Sequence, residues 1–204
     1  MRDFFIDMPS WDHKFIAHEV KKQFHLPEYN NDPAFYKDLC KSQGTSFVVG
    51  KRWRQPEVNK LQYLTEKLRQ IGISDTIQHG QLFVCRPNFV GGWHLDGINR
   101  HLSLNFPLFN TEECGEVEWT NTEIAAVKEI NMYTAHSKPL HTIDAITAWP
   151  VAAAARLTCA QLLKVDKWHR LNNKGNPVHR IIFSIRLNSN PLYEDLLPLF
   201  EKYA

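Results

Sequence analysis

Several things are scarce or missing in this 204-residue sequence, and each absence narrows what the chain can be. Its four cysteines (Cys40, Cys85, Cys114 and Cys159) stand far apart, with no Cys-x-x-Cys pair. Neither a zinc ribbon nor a disulfide framework is therefore expected, and reduced thiols in a cytoplasmic protein are the simplest reading. No apolar run approaches the ~18 residues that a membrane-spanning helix needs. The opening MRDFFIDMPSWDHKF sets Asp3 and Asp7 on either side of its short apolar run, unlike a signal peptide. An excess of one charge is also lacking: 24 basic against 22 acidic residues leave a net +2. That balance makes nucleic acid an unexpected partner, with Lys51, Arg52 and Arg54 forming only a local basic patch. Internal repeats and low-complexity tracts are absent. The chain reads as one soluble domain with no membrane association, and its oligomeric state is left open.

What is present is a hydrophobic fraction of 43%, with six Trp and twelve Phe, enough for a substantial core. Residues 1–75 read as a mainly helical lead-in. A helix is expected over 33–42 behind Asp32-Pro33. A clearer one is expected over 56–71, where Leu61, Leu64, Leu68 and Ile71 recur at helical spacing before Gly72. From residue 76 the period changes. Strands are expected at 76–86 (broken by Gly80), 100–108, 116–120, 142–149, 162–165 and 180–187, and 152–155 reads as a short helix or a bend. Asn190-Pro191 opens a C-terminal helix, within 189–204, that continues despite Pro198. Many short strands after a helical start predict a mainly β fold with flanking helices, a jelly-roll core over 76–188.

The chemistry-bearing stretch is GGWHLDGINRHLSLNFPL, residues 91–108. In an extended chain residues i and i+2 point the same way, so His94 and Asp96 can present an imidazole and a carboxylate to one point. That is two thirds of a 2-His-1-carboxylate triad. Downstream, VDKWHRLNNKGNPVHRIIFSIRL supplies His169, with His179 as the competing histidine, and a strand whose faces separate cleanly. Ile181, Phe183, Ile185 and Leu187 share one face; Arg180, Ile182, Ser184 and Arg186 share the other. Two arginines and a serine facing one way suit an anion, since a guanidinium binds a carboxylate with two prongs. A solvated outer face is the competing reading. In HLSLNF the polar His101, Ser103 and Asn105 alternate with Leu102, Leu104 and Phe106, and the polar face is either solvent or the lumen of a barrel. Trp93 and Trp168 each precede a candidate ligand and are expected to point away from it.

His94, Asp96, His169 and Arg180, in that order and with ten residues between the last two, resemble the Fe(II)/2-oxoglutarate-dependent dioxygenases. The resemblance covers roughly residues 76–188. It implies a double-stranded β-helix core, cupin-like, in which His94, Asp96 and His169 ligate iron. It implies further that Arg180 holds the distal carboxylate of 2-oxoglutarate, with Ser184, Arg186, Ser103 and Asn105 as assisting groups. Of these, Arg186 lies toward either cosubstrate or substrate. The surrounding phrases look similar to the aspartyl/asparaginyl hydroxylase-like or small microbial branch. The implied reaction uses Fe(II), 2-oxoglutarate and O2 to hydroxylate a C–H bond of an amino-acid-like small molecule or protein side chain, releasing succinate and CO2. The alternatives are oxidation of a nucleobase and a non-catalytic barrel that binds a metal or anion.

Overall fold

The computed structural model describes residues 3–26, 48–73, 77–96, 100–111, 115–122, 132–133, 139–140, 142–143 and 149–202. Its strands are β1 (Phe5–Met8), β2 (Val48–Arg54), β3 (Ile77–Cys85), β4 (Trp93–His94), β5 (Leu102–Phe109) and β6 (Glu116–Trp119). They continue with β7 (Met132–Tyr133), β8 (Pro139–Leu140), β9 (Thr142–Ile143), β10 (Ala153–Arg156), β11 (Ala160–Lys164), β12 (His169–Asn172) and β13 (Arg180–Leu187). Four helices accompany them: α1 (His13–Gln23), α2 (Gln55–Val58), α3 (Gln62–Gln70) and α4 (Tyr193–Glu201).

Two antiparallel sheets face each other. One has the order β1-β11-β5-β13-β3-β2 and the other β10-β6-β12-β4-β9, with β7 and β8 pairing separately. From β3 to β6 and again from β10 to β13 the chain crosses between these sheets at every step, so β3, β5, β11 and β13 oppose β4, β6, β10 and β12. This is a double-stranded β-helix, the expected mainly β architecture with flanking helices.

The long strands of the larger sheet separate two environments. The outward face of β13, carrying Ile181, Phe183, Ile185 and Leu187, joins the main hydrophobic core beneath the helices. α1 buries Ile16, Ala17 and Val20 there, and Asp12 caps it by accepting from the Phe15 amide at 2.9 Å. Phe24 stacks on Trp53 at 4.0 Å, and Trp11 lies between Phe106 and Phe200. Burying each such aromatic removes enough apolar surface to contribute roughly 2–3 kcal/mol. A second, smaller core fills one part of the space between the sheets: Phe4, Val117, Trp119, Ala153, Ala155, Leu163 and Val165. Trp119 satisfies its indole N–H on the Lys164 carbonyl at 2.8 Å.

Several local expectations differ. The lead-in is not helical alone, because β1 and β2 lie within it and flank the larger sheet at its two edges. The helix expected over 56–71 is divided into α2 and α3, although Leu61, Leu64, Leu68 and Ile71 are all buried as the spacing predicts. Gly80 does not interrupt β3. It is the point where the Phe183 ring crosses the strand, and a Cβ there would stand 2.4 Å from Phe183 Cζ. Residues 153–156 form a strand rather than a helix or bend, drawn into register by β6. The C-terminal helix starts at Tyr193, after Asn190-Pro191. The helix expected over 33–42 and most of the strand expected over 142–149 fall outside the described residues.

Candidate metal centre

β4 and β12 are short neighbouring strands, and their register sets His169 directly opposite His94. The chain leaves β4 through Asp96, whose amide donates to the Val165 carbonyl at 3.3 Å. These placements bring His94, Asp96 and His169 together, with one donor atom from each lying within 4.8 Å of the others. Among the described residues this is the one group of histidine, cysteine and acidic side chains arranged to hold a metal ion. His94 Nε2 and His169 Nε2 each stand 3.6 Å from the same oxygen, Asp96 Oδ1. An octahedral edge built on bonds of about 2.1 Å spans about 3 Å, so a small closure suffices.

The tautomers follow from backbone contacts. His94 Nδ1 donates to the Gly92 carbonyl at 2.9 Å, and His169 Nδ1 to the Lys167 carbonyl at 2.8 Å. A carbonyl only accepts, so Nδ1 carries a proton in each ring and Nε2 is the nitrogen turned toward Asp96. Burial above all, and then His169, push His94 down to about 4, so it is a neutral imidazole at neutral pH. Burial alone would raise the Asp96 carboxyl. The Arg100 guanidinium, and after it the two neighbouring imidazole rings, outweigh burial and hold that carboxyl well below the usual carboxylate range. Two imidazole nitrogens and one carboxylate oxygen aimed at one point fit a divalent cation of intermediate softness.

The lumen beside this trio is polar on the larger sheet. Ser103 and Asn105 on β5 and Ser184 on β13 are buried and mutually bonded, with Ser103 Oγ at 2.8 Å from Asn105 Oδ1 and 2.7 Å from Ser184 Oγ. The solvent alternative for this strand face is thereby removed. Arg180 is only 2% exposed, at the start of β13 and four residues before Ser184. Its side chain lies across Gly115, where a Cβ would stand 2.6 Å from Arg180 Cδ and where φ is +85°. Arg186 occupies the other end of the same face, opposite His79 and partly exposed. His179 is apart from the trio, at the start of β13, with its carbonyl accepting from Asn110. Asp166 pairs with His101 at 3.2 Å.

Trp93 and Trp168, each next in sequence to one of the two histidines, join with Trp149 in a chain of ring contacts at 5.9 and 5.8 Å. Arg170 lies over Trp93 at 4.4 Å and donates to Glu118, which also accepts from Asn172 at 2.6 Å. These ring and ion-pair contacts run alongside β4 and β12. Two residues of the site escaped sequence reasoning. Gly115 has no signal beyond being a glycine. Arg100 donates to Asp96 Oδ2 at 3.0 Å and to Ser103 Oγ at 2.9 Å, and its one sequence signal is its position four residues after Asp96.

Neither a protein-family model nor a curated protein matches the sequence. Solved structures of similar fold include the non-heme α-ketoglutarate-dependent epimerase SnoN from nogalamycin biosynthesis. It is 11% identical with a TM-score of 0.50, over 90% of this chain and 76% of that one. A 2OG-Fe(II) oxygenase family oxidoreductase from Burkholderia pseudomallei matches at 13% identity and a TM-score of 0.48, covering 90% of this chain and 83% of its own. A Pseudomonas putida prolyl-4-hydroxylase matches at 8% and 0.48, covering 90% of both chains. At such identities the likeness is one of fold.

Proposed function

We propose that this chain is an Fe(II)- and 2-oxoglutarate-dependent oxygenase that hydroxylates a C–H bond of an amino-acid-like small molecule or a protein side chain. The observation that carries the reading is the convergence of His94 Nε2, His169 Nε2 and Asp96 Oδ1 in a lumen whose opposite wall buries Arg180. His94, Asp96 and His169 would hold the ion through three donors, and a ferrous ion held in that way would keep room for a chelating keto acid and O2. Bound iron supplies the oxidising chemistry, in which O2 and 2-oxoglutarate are consumed and succinate and CO2 are released.

The chain's own part is positional. Gly92 and Lys167 fix the imidazole tautomers through their carbonyls, so no ring proton competes with the metal. Arg180 is the anchor for the distal carboxylate of 2-oxoglutarate, and Ser103, Asn105 and Ser184 offer hydroxyl and amide contacts along the way. Arg186, at the more open end, faces the region where a substrate enters. The chain of rings from Trp93 through Trp149 to Trp168 shields β4 and β12 from bulk water. SnoN, an epimerase, shares this fold, so the outcome at the substrate carbon is a matter for product analysis.

The test is anaerobic addition of Fe(II) and then 2-oxoglutarate. A visible charge-transfer band from the chelated keto acid is expected, followed in air by succinate release with candidate amino acids and peptides. Absence of the band overturns the reading. A band without coupled turnover of any substrate favours a non-catalytic metal- and anion-binding barrel.

A further inference from the structure

Asp96 uses its two oxygens for different neighbours. Oδ1 faces both imidazoles, while Oδ2 accepts from Arg100 Nη1 at 3.0 Å. The other arm of the same guanidinium, Nη2, reaches Ser103 Oγ at 2.9 Å and Ser184 Oγ at 3.4 Å. Arg100 is mostly buried, with its side chain 13% exposed, and its Nε has no hydrogen-bond partner among the described residues. One cation therefore touches both the acidic metal ligand and the hydroxyl wall assigned to the cosubstrate.

Charge counting shows what that position does. Asp96 and Arg100 offset each other beside the trio, and Arg180 adds a further positive charge to the lumen. A divalent ion adds two more positive charges, and a dicarboxylate offsets two. The ion draws on the same carboxylate that holds Arg100, so the Arg100–Asp96 bond weakens when metal arrives. The guanidinium is then released toward an incoming carboxylate at Ser103 and Ser184. Without metal, a dicarboxylate must compete with Asp96 for the same arginine.

We propose that Arg100 is a positioning residue that links the two ligands, exchanging Asp96 for a carboxylate of the keto acid, so that metal and 2-oxoglutarate each favour the other's binding. The proposal rests on the oxygenase reading above. Linkage of this kind is reciprocal: whatever factor metal applies to the dicarboxylate, the dicarboxylate applies to the metal.

The experiment measures Co(II) affinity of the full chain by its d–d absorption, anaerobically, with and without saturating 2-oxoglutarate. In Arg100→Gln, Co(II) alone is expected to bind more tightly than in the wild type, because a competing cation is gone from Asp96. The tightening of Co(II) binding by 2-oxoglutarate is expected to shrink by about tenfold, within the usual range for coupled sites. Equal tightening in Arg100→Gln and wild type overturns the linkage and leaves the oxygenase reading standing. Failure of the wild type to bind Co(II) overturns that reading and the linkage with it. Should Arg100→Gln not fold, Arg100→Lys decides: it keeps the charge but not the two-armed fork. Reduced tightening at unchanged Co(II) affinity supports the proposal, and wild-type tightening overturns it.

Discussion

The larger sheet builds its central wall from strands of eight and nine residues, β5, β13 and β3, whereas the smaller sheet, which carries both imidazoles, is made of strands of two to four. A long strand can give one face to an apolar core and the other to a polar lumen, and its register is pinned along its whole length. A short strand offers little packing, but it ends early. His94 ends β4 and His169 begins β12, and in each the carbonyl two residues back accepts a hydrogen bond from Nδ1–H. The lesson is a division of labour, with stability concentrated in one wall and ligand chemistry at the strand ends of the other.

The sharpest way to break this comparison is to remove a ligand from the short-stranded side. Asp96→Asn or His169→Gln, which keep the volume and a polar contact, should lower metal affinity by roughly 100-fold or more and abolish 2-oxoglutarate turnover, while thermal unfolding of the metal-free protein changes little. Metal titration together with calorimetry checks both halves. Full activity in either variant refutes the ligand assignment. Arg180→Ala, on the long-stranded side, should instead raise the 2-oxoglutarate requirement and leave metal binding largely intact.

The same division explains what could be read in advance. The four residues of the proposed chemistry stood out because their side-chain types are unusual for their places: an imidazole and a carboxylate two apart, and an arginine on a strand otherwise apolar. Alternation along residues 180–187 separated the faces correctly because β13 is long enough for a period of two to be seen. Arg100 was hidden because it lies before β5 begins, where alternation carries no information about direction. β1 is only four residues long, and β2 reads VVGKRWR, a glycine and three cations in a strand of seven. Ala153–Arg156 has no strand preference of its own, since alanine is depleted in sheets, and only its pairing with β6 makes it one. In each case the deciding information was a partner strand distant in sequence.

A second test asks whether the long-stranded wall carries stability without touching the metal. Gly80 on β3 lets the Phe183 ring cross the strand, and that ring is held by Phe24, Trp53 and Phe106 at centroid distances of 5.8 to 6.4 Å. A methyl group at Gly80 meets the ring at 2.4 Å with nowhere for it to go. Gly80→Ala is expected to cost about 3 kcal/mol through overpacking, a fall in Tm of roughly 5–10 °C. Metal affinity in the folded protein should be unchanged. A metal affinity that falls with stability would show that the two walls are not independent.

The smallest expected effect lies where the long-stranded wall meets the lumen's deep end. Cys85 stands opposite Arg180 in the β3–β13 register. Burial pushes its thiol up from 9.0 to about 11, against the pull of the nearby guanidinium. In the unfolded chain the thiol loses its proton first, so between pH 9 and 11 the unfolded state binds fewer protons than the folded one. Stability from this group is therefore fully present below pH 9 and declines as pH rises toward 11, by about 2–3 kcal/mol in all. Cys85→Ala removes that slope, so the difference in unfolding free energy between variant and wild type should shift in the variant's favour across the same window. Tyr193, whose hydroxyl is also raised by burial, contributes to both proteins alike and cancels in the difference. A difference that stays flat from pH 8 to 11 would mean that the thiol ionises freely in the folded chain. The deep end of the lumen would then be wet, and Arg180 would face water there instead of a dry socket for a carboxylate.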